Sequence, residues 1–182
     1  MDEQRFNDYI NLIQELINCE NGKEWETLRN HAHLVDEDLV QIMQLLAEEM
    51  EQAGEANAGW LRQMAQQIGK LLTQWEKLKE QTINLYQQGA FTEGIVVAEQ
   101  VLELARFLWG KNHPNVAASC NNLAGLYKSQ GRYSEAEPLW LEVVAIGRQA
   151  LPPNHPTLAT LLNNLAGLYE SQVKFAARFR VR

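Results

Sequence analysis

The chain has 182 residues, of which 46% are hydrophobic, 8% aromatic and 21% charged, with 11 glycines and 5 prolines. That is enough to bury a sizeable core, and it excludes collagen-like, low-complexity and fully disordered classes. The formal charge of −7 argues against general nucleic-acid binding, which depends on neutralising phosphates.

Residues 1–72 carry no internal repeat. Phe6, Tyr9, Ile10, Ile13, Leu16 and Ile17 recur at helical spacing and predict an amphipathic helix. Asn21-Gly22 breaks it, and Trp25 and Leu28 mark a short turn or helix. Asp36 or Asp38 can cap a helix carrying Leu39, Ile42, Met43, Leu46 and Met50. A loop near residues 54–57 precedes a further helix through Trp60, Leu61, Met64, Ile68, Leu71 and Leu72. Residues 1–56 hold 14 acids and 3 bases. The acids near residues 36–55, with Lys and Arg scarce there, read as a solvated helix face and not as a paired-carboxylate site.

From residue 73 the sequence repeats itself. GKNHPNVAASCNNLAGLYKSQGRY at 110–133 returns at 152–175 as PPNHPTLATLLNNLAGLYESQVKF, identical at 13 of 24 positions. An earlier copy ends in LYQQGAF at 85–91. There Gly89 and Phe91 lie 42 residues before Gly131 and Tyr133, but Tyr86 lies 41 before Tyr127, which implies one residue missing from the first turn.

Each unit reads as two helices. The first copy spans roughly 73–88 and 92–109. In the second copy, Pro114 suits a first helical turn, and Val116, Cys120, Leu123, Ala124 and Tyr127 follow on one face. Gly131 stops that helix. Ser134 and Glu137 form a capping-box pattern for the next, which carries Leu139, Trp140, Val143, Val144 and Ile146 and ends at Pro152-Pro153. The third copy supplies one helix over 157–172. Val173 then replaces the turn glycine, and residues 176–182 form a basic tail with no second-helix pattern, expected to be frayed or truncated. No β-alternation of useful length occurs, so the fold class is all-α.

NNLAGLYxSQGRYxEAExLW, joined by a long helix to NHPxVA, resembles the 42-residue tetratricopeptide repeat of the kinesin light chain type. The resemblance spans about 73–175 and rests on Leu123-Ala124, Tyr127, Gly131, Tyr133, Ala136 and Trp140. Residues 1–72 resemble the helical segment that precedes such repeats in cyanobacterial-type multi-repeat proteins. The resemblance implies an α-solenoid whose stacked units line a concave groove that holds a peptide or partner helix. Carried over by position, the groove residues are Asn121, Asn122, Gly125, Lys128 and Ser129, and in the next unit Asn163, Asn164, Gly167, Glu170 and Ser171. An asparagine amide donates and accepts at once, matching a peptide unit. A glycine inside a helix costs about 1 kcal/mol relative to alanine. Its recurrence at one register therefore fits close approach of a ligand or of the next helix. Lys128 is opposed by Glu170, so the cluster of cations used for acidic peptide ends is not expected.

Other chemistry is sparse. His113 and His155 precede proline in the inter-unit loops and read as loop and cap residues. His31 and His33 lack the further ligands that a zinc site needs. The five tryptophans, without interleaved Lys and Arg, read as packing anchors. No nucleophile elbow, phosphate loop or HExxH motif is present. Cys19 and Cys120 form no framework, so a reducing compartment is expected, and no apolar run reaches the roughly 20 residues of a membrane span. The reading is a cytoplasmic, non-enzymatic scaffold without cofactor or metal, not bound to membrane or nucleic acid, that binds a protein or peptide. The alternatives are a homodimer formed through the C-terminal helix, where Leu158, Leu161, Leu162, Leu165 and Leu168 spread around the axis, or the remnant of a longer array.

Overall fold

The computed structural model describes residues 2–180, with side chains described through Phe175. It is all-α: α1 Glu3–Asn18, α2 Glu24–Asn30, a 3-10 turn Ala32–Leu34, α3 Glu37–Gln52, α4 Ala58–Gln87, α5 Phe91–Trp109, α6 Pro114–Ser129, α7 Tyr133–Ala150 and α8 Pro156–Arg180. Two compact units are formed. One comprises Met1–Lys77 with Arg106–Gly110, the other Leu78–Ala105 with Lys111–Arg182. The expected boundary at residue 72 therefore falls inside α4, which runs unbroken for 30 residues. Nothing stops it there, because residues 70–78 contain neither Gly nor Pro.

In the first unit, α1 buries Tyr9, Leu12, Ile13 and Leu16, α3 buries Leu39, Ile42, Met43 and Ala47, and α4 adds Leu61, Ala65 and Ile68. Phe6, expected on the buried face of α1, is 42% exposed. Asp36 is the cap the sequence allowed for α3. One carboxylate oxygen accepts from Leu39 N at 3.0 Å. The other accepts from Arg5 at 2.7 Å and from the Tyr9 hydroxyl at 2.7 Å. Burial, with the nearby Asp36 carboxylate, pushes the Tyr9 phenol up to about 12. Trp109 packs edge-on against Trp75, with ring centroids 4.8 Å apart, and donates its indole N–H to Val35 O at 2.9 Å. These tryptophans act as anchors.

In the second unit, His113 and His155 do as helix caps what their place before proline suggested. Their Nδ1 atoms accept from Asn115 N and Thr157 N, each at 3.2 Å. The α6–α7 turn closes with Gly131 at φ +73°, Gly131 N bonded to Lys128 O and Arg132 N to Tyr127 O, both at 2.9 Å. The α4–α5 turn closes in the same way. Gly89 has φ +73°, Gly89 N bonds Tyr86 O at 3.1 Å, and Ala90 N bonds Leu85 O at 3.0 Å. Leu85, not Tyr86, therefore holds the register of Tyr127, and Tyr86 holds that of Lys128. The 42-residue interval runs through this turn with no residue missing, so the expected deletion is corrected. The two LY pairs match in letters but sit one residue apart in the structural repeat.

Two further expectations fail. The capping box at Ser134 and Glu137 does not form. The helix begins at Tyr133, Arg132 at its N-cap makes no side-chain cap bond, and Ser134 Oγ bonds the Glu135 carboxylate. Glu137 instead accepts from the Tyr169 hydroxyl at 3.0 Å. The third copy's helix also continues past 172, because Val173 cannot make the left-handed turn that Gly131 makes. The side chains of the basic tail, and all of residues 181 and 182, lie outside the described residues.

Candidate groove of the repeats

α4, α6 and α8 present their faces to a groove of about 570 Å³ in the second unit. It is lined from α4 by Thr82, Ile83 and Tyr86, and from α6 by Asn121, Asn122, Gly125, Leu126, Lys128 and Ser129. Tyr133 and Trp140 of α7 and Asn164 and Ser171 of α8 complete it. Seven of the ten expected residues thus line the groove. Asn163, Gly167 and Glu170 do not, and Asn163 and Glu170 are exposed.

The polar side chains divide into engaged and available groups. Asn121 Oδ1 accepts from Trp140 Nε1 and from Asn164 Nδ2, each at 3.0 Å. That oxygen ties α6 to both α7 and α8, so Asn121 is a packing residue at the edge of the groove. Ser129 and Ser171 bond back to Gly125 O and Gly167 O at 2.9 and 2.7 Å. Asn122 makes no side-chain hydrogen bond among the described residues. Asn164 uses its amide N–H toward Asn121 and retains its carbonyl oxygen. Lys128 Nζ sits 5.7 Å from the centroid of the Trp140 ring, a cation–π placement. Among the described residues it is the only charged one in the lining.

The two glycines carry different loads. A Cβ at Gly125 would meet nothing within 4 Å, so its absence deepens the groove and does nothing for helix packing. A Cβ at Gly167 would lie 3.2 Å from Lys128 Nζ, so Gly167 makes room for the ammonium. Close helix approach occurs elsewhere. A Cβ at Gly94 would come within 2.9 Å of Leu126 Cδ2, and one at Gly147 within 2.6 Å of Leu161 Cδ1.

Sequence reasoning missed Thr82, Ile83 and Tyr86. The turn glycines carried the signal. Counting 42 back from Gly125 and Lys128 gives Ile83 and Tyr86, but matching the tyrosines hid this. It also missed Leu126, Tyr133 and Trp140, apolar and aromatic residues that read as packing between helices.

Tyr127 and Tyr169 are matched in role. Each donates its hydroxyl to a glutamate on the second helix of the preceding unit, Glu99 at 2.6 Å and Glu137 at 3.0 Å. Burial is the larger cause, and the Glu99 carboxylate the next, that push the Tyr127 phenol up to about 12. Tyr169 is raised chiefly by its bond to Glu137. Among the described residues no group of three His, Cys, Asp or Glu could hold a metal ion. No described helix is long and apolar enough to cross a membrane.

A second cleft of about 330 Å³ lies in the same unit, between the start of α6, the end of α7 and the start of α8. Its lining is mostly apolar, including Ala117, Val143, Ile146 and Leu161.

Among solved structures, the kinesin light chain-type, nearly identical TPR-like repeats from Podosopora anserina are 19% identical, with 96% of this chain and 90% of that chain covered at a TM-score of 0.49. BtubC (BKLC) from P. vanneervenii is 22% identical, with 95% of this chain and 70% of that chain covered, also at 0.49. No curated protein matches the sequence. Residues 116–157 match the tetratricopeptide repeat family, and they span most of α6, all of α7 and the loop that leads into α8.

Proposed function

We propose that the chain is a non-enzymatic binding scaffold that holds an extended peptide segment of another protein in the groove lined by α4, α6 and α8. The observation that carries this reading is a groove of about 570 Å³ whose polar lining is only partly used by the protein itself. Asn122 offers both a donor and an acceptor, and Asn164 an acceptor, for main-chain amide groups. Tyr86, 48% exposed, supplies flat apolar contact beside them. Gly125 keeps the floor open. A tetratricopeptide match over 116–157 supports an interaction role for this segment. A cytoplasmic, reducing setting fits two cysteines that are not joined in a disulfide.

A peptide array with the intact protein tests the reading, read against two variants. Asn122→Ala removes the available amide, and Gly125→Leu projects a side chain over the floor from a Cβ position with no atom within 4 Å. Binding of captured peptides is expected to fall at least tenfold in Gly125→Leu at unchanged helicity. If every captured peptide binds both variants as it binds the parent, the groove is not the site.

A further inference from the structure

The preceding copy of the repeat shows why the second cleft, of about 330 Å³, is hollow. Ala117, Ala150 and Leu151 line it. Forty-two residues before them stand Trp75, Leu108 and Trp109. Those three are 5%, 0% and 4% exposed, and the two indoles pack edge-on with centroids 4.8 Å apart. In the later copy each of the three positions carries a smaller side chain. Ala150 is exposed and Ala117 and Leu151 are half-buried, so the space opens to solvent. What is missing is side-chain bulk inside a helix pair. In the earlier copy α4 and α5 supply that bulk from their own residues, so a further helix of a repeat array is not what the cleft lacks.

We infer that this cleft is a side-chain pocket for one aromatic residue of the peptide segment held in the groove. The pocket deepens the proposed groove function and rests on it. Asn121 lines both the groove and the cleft, so the two hollows meet at that residue. The lining selects an apolar ring over a polar or charged group. Pro114, Ala117, Val143, Ile146 and Leu161 are among its walls, and no charged residue lines it among the described residues. The Asn121 side-chain oxygen already accepts two hydrogen bonds, from Trp140 and Asn164. A flat ring replaces the bulk lost between Trp75 and Ala117. Its burial removes apolar surface from water on both partners and strands no polar group. Asn122 and Asn164 meanwhile serve the main chain of the segment in the groove. The segment therefore carries its aromatic residue at the end nearer the start of α6, beyond Asn121.

Two probes of the full chain test this. The first is N-acetyl-phenylalaninamide, read by saturation-transfer NMR beside N-acetyl-alaninamide. Saturable binding of the phenylalanine probe alone is expected. Ala117→Trp restores the residue of the preceding copy and fills the cleft from within, so it should abolish that binding and raise the melting temperature. Ala150→Leu restores Leu108 in the same way and should weaken the probe, and it is the variant to read if circular dichroism shows that Ala117→Trp misfolds. The second probe is the set of peptides captured on the array. Replacing their aromatic residue by alanine should weaken binding at least tenfold on the parent chain and cause no further loss on Ala117→Trp. Equal binding of the two amides overturns the inference, as does a phenylalanine probe that binds the folded variants as it binds the parent. Captured peptides with no aromatic residue in common overturn it too. Gly125→Leu keeps the pocket and the groove apart. If it weakens the peptides while Ala117→Trp leaves them unchanged, the groove stands and the pocket falls.

Discussion

The sequence NNLAGLY occurs twice in this chain, in α6 and in α8, and the two copies live different lives. In α6 it is enclosed, with Asn121 locked between Trp140 and Asn164 and with Tyr127 buried. In α8 the same letters leave Asn163 exposed and Tyr169 half-exposed. Gly125 opens onto a groove, while Gly167 makes room for Lys128. A motif therefore fixes the helical path over its own residues, but the neighbouring helices decide what each side chain does. Residues shared by both copies report on the fold. The contrast between the copies reports on which surfaces are available.

The sharpest way to break the comparison is to remove the residue that makes α6 different. Trp140 is 4% exposed, fills the space beside Asn121 and donates its indole N–H to the Asn121 side-chain oxygen. Trp140→Ala is expected to cost about 3–5 kcal/mol, measured as the shift in urea unfolding. Leu162→Ala on the uncovered face is expected to cost under about 1 kcal/mol, as half-exposed substitutions usually do. Equal costs would mean that α8 is covered to the same degree as α6.

The glycines sharpen the comparison next, because one substitution is expected to act in opposite directions. Gly147→Ala drives a methyl toward Leu161 Cδ1 and Leu158 Cδ2, which lie 2.6 and 3.1 Å from the Cβ position. Overpacking of this kind costs about 1–3 kcal/mol, set against a helix-propensity gain of at most about 1 kcal/mol. A net loss in thermal stability is the expected result. Gly125→Ala meets no atom and keeps the propensity gain, so it should raise the melting temperature. A stabilising Gly147→Ala would show that α7 and α8 are packed more loosely than these distances imply.

Much of this was legible in the letters. Proline and histidine at the start of α6 and α8, and glycine at the α6–α7 turn, follow from backbone needs that few other residues meet, and all act as expected. Of the ten residues carried over by repeat register, seven lie among the thirteen that line the groove. What failed did so for identifiable reasons. The two tyrosines were matched by identity, although the turn glycines, whose positive φ almost no other residue tolerates, set the true register one residue away. Glycine recurrence was read as close approach of a ligand or of the next helix at Gly125 and Gly167, and the helix alternative does not hold at Gly125, where a Cβ would meet nothing within 4 Å. The tight contacts fall at Gly94 and Gly147, positions that carry no repeated motif. The capping box at Ser134 was a pattern without geometry, because the N-cap falls two residues earlier, at Arg132. The length of α4 was hidden because a repeat boundary need not be a helix boundary.

The smallest expected effects concern the two tyrosines that bridge successive units. Tyr127→Phe removes a bond to Glu99, and about 1 kcal/mol is expected to be lost. Tyr169→Phe, on the open helix, should lose less. A titration separates the two without mutation. The buried Tyr127 phenol is pushed up to about 12 from an ordinary value of 10.0. A raised value means that the folded state holds its proton more tightly than the unfolded chain does. That contribution to stability is fully present below pH 10 and is lost as pH rises toward 12. Tyr9 of the first unit is raised to about 12 as well, so the assay uses the Tyr127→Phe variant beside the parent. Urea midpoints taken between pH 9 and 12 should fall more steeply in the parent than in Tyr127→Phe. Identical slopes would mean that Tyr127 ionises as an exposed phenol does, and that α6 is no better enclosed than α8.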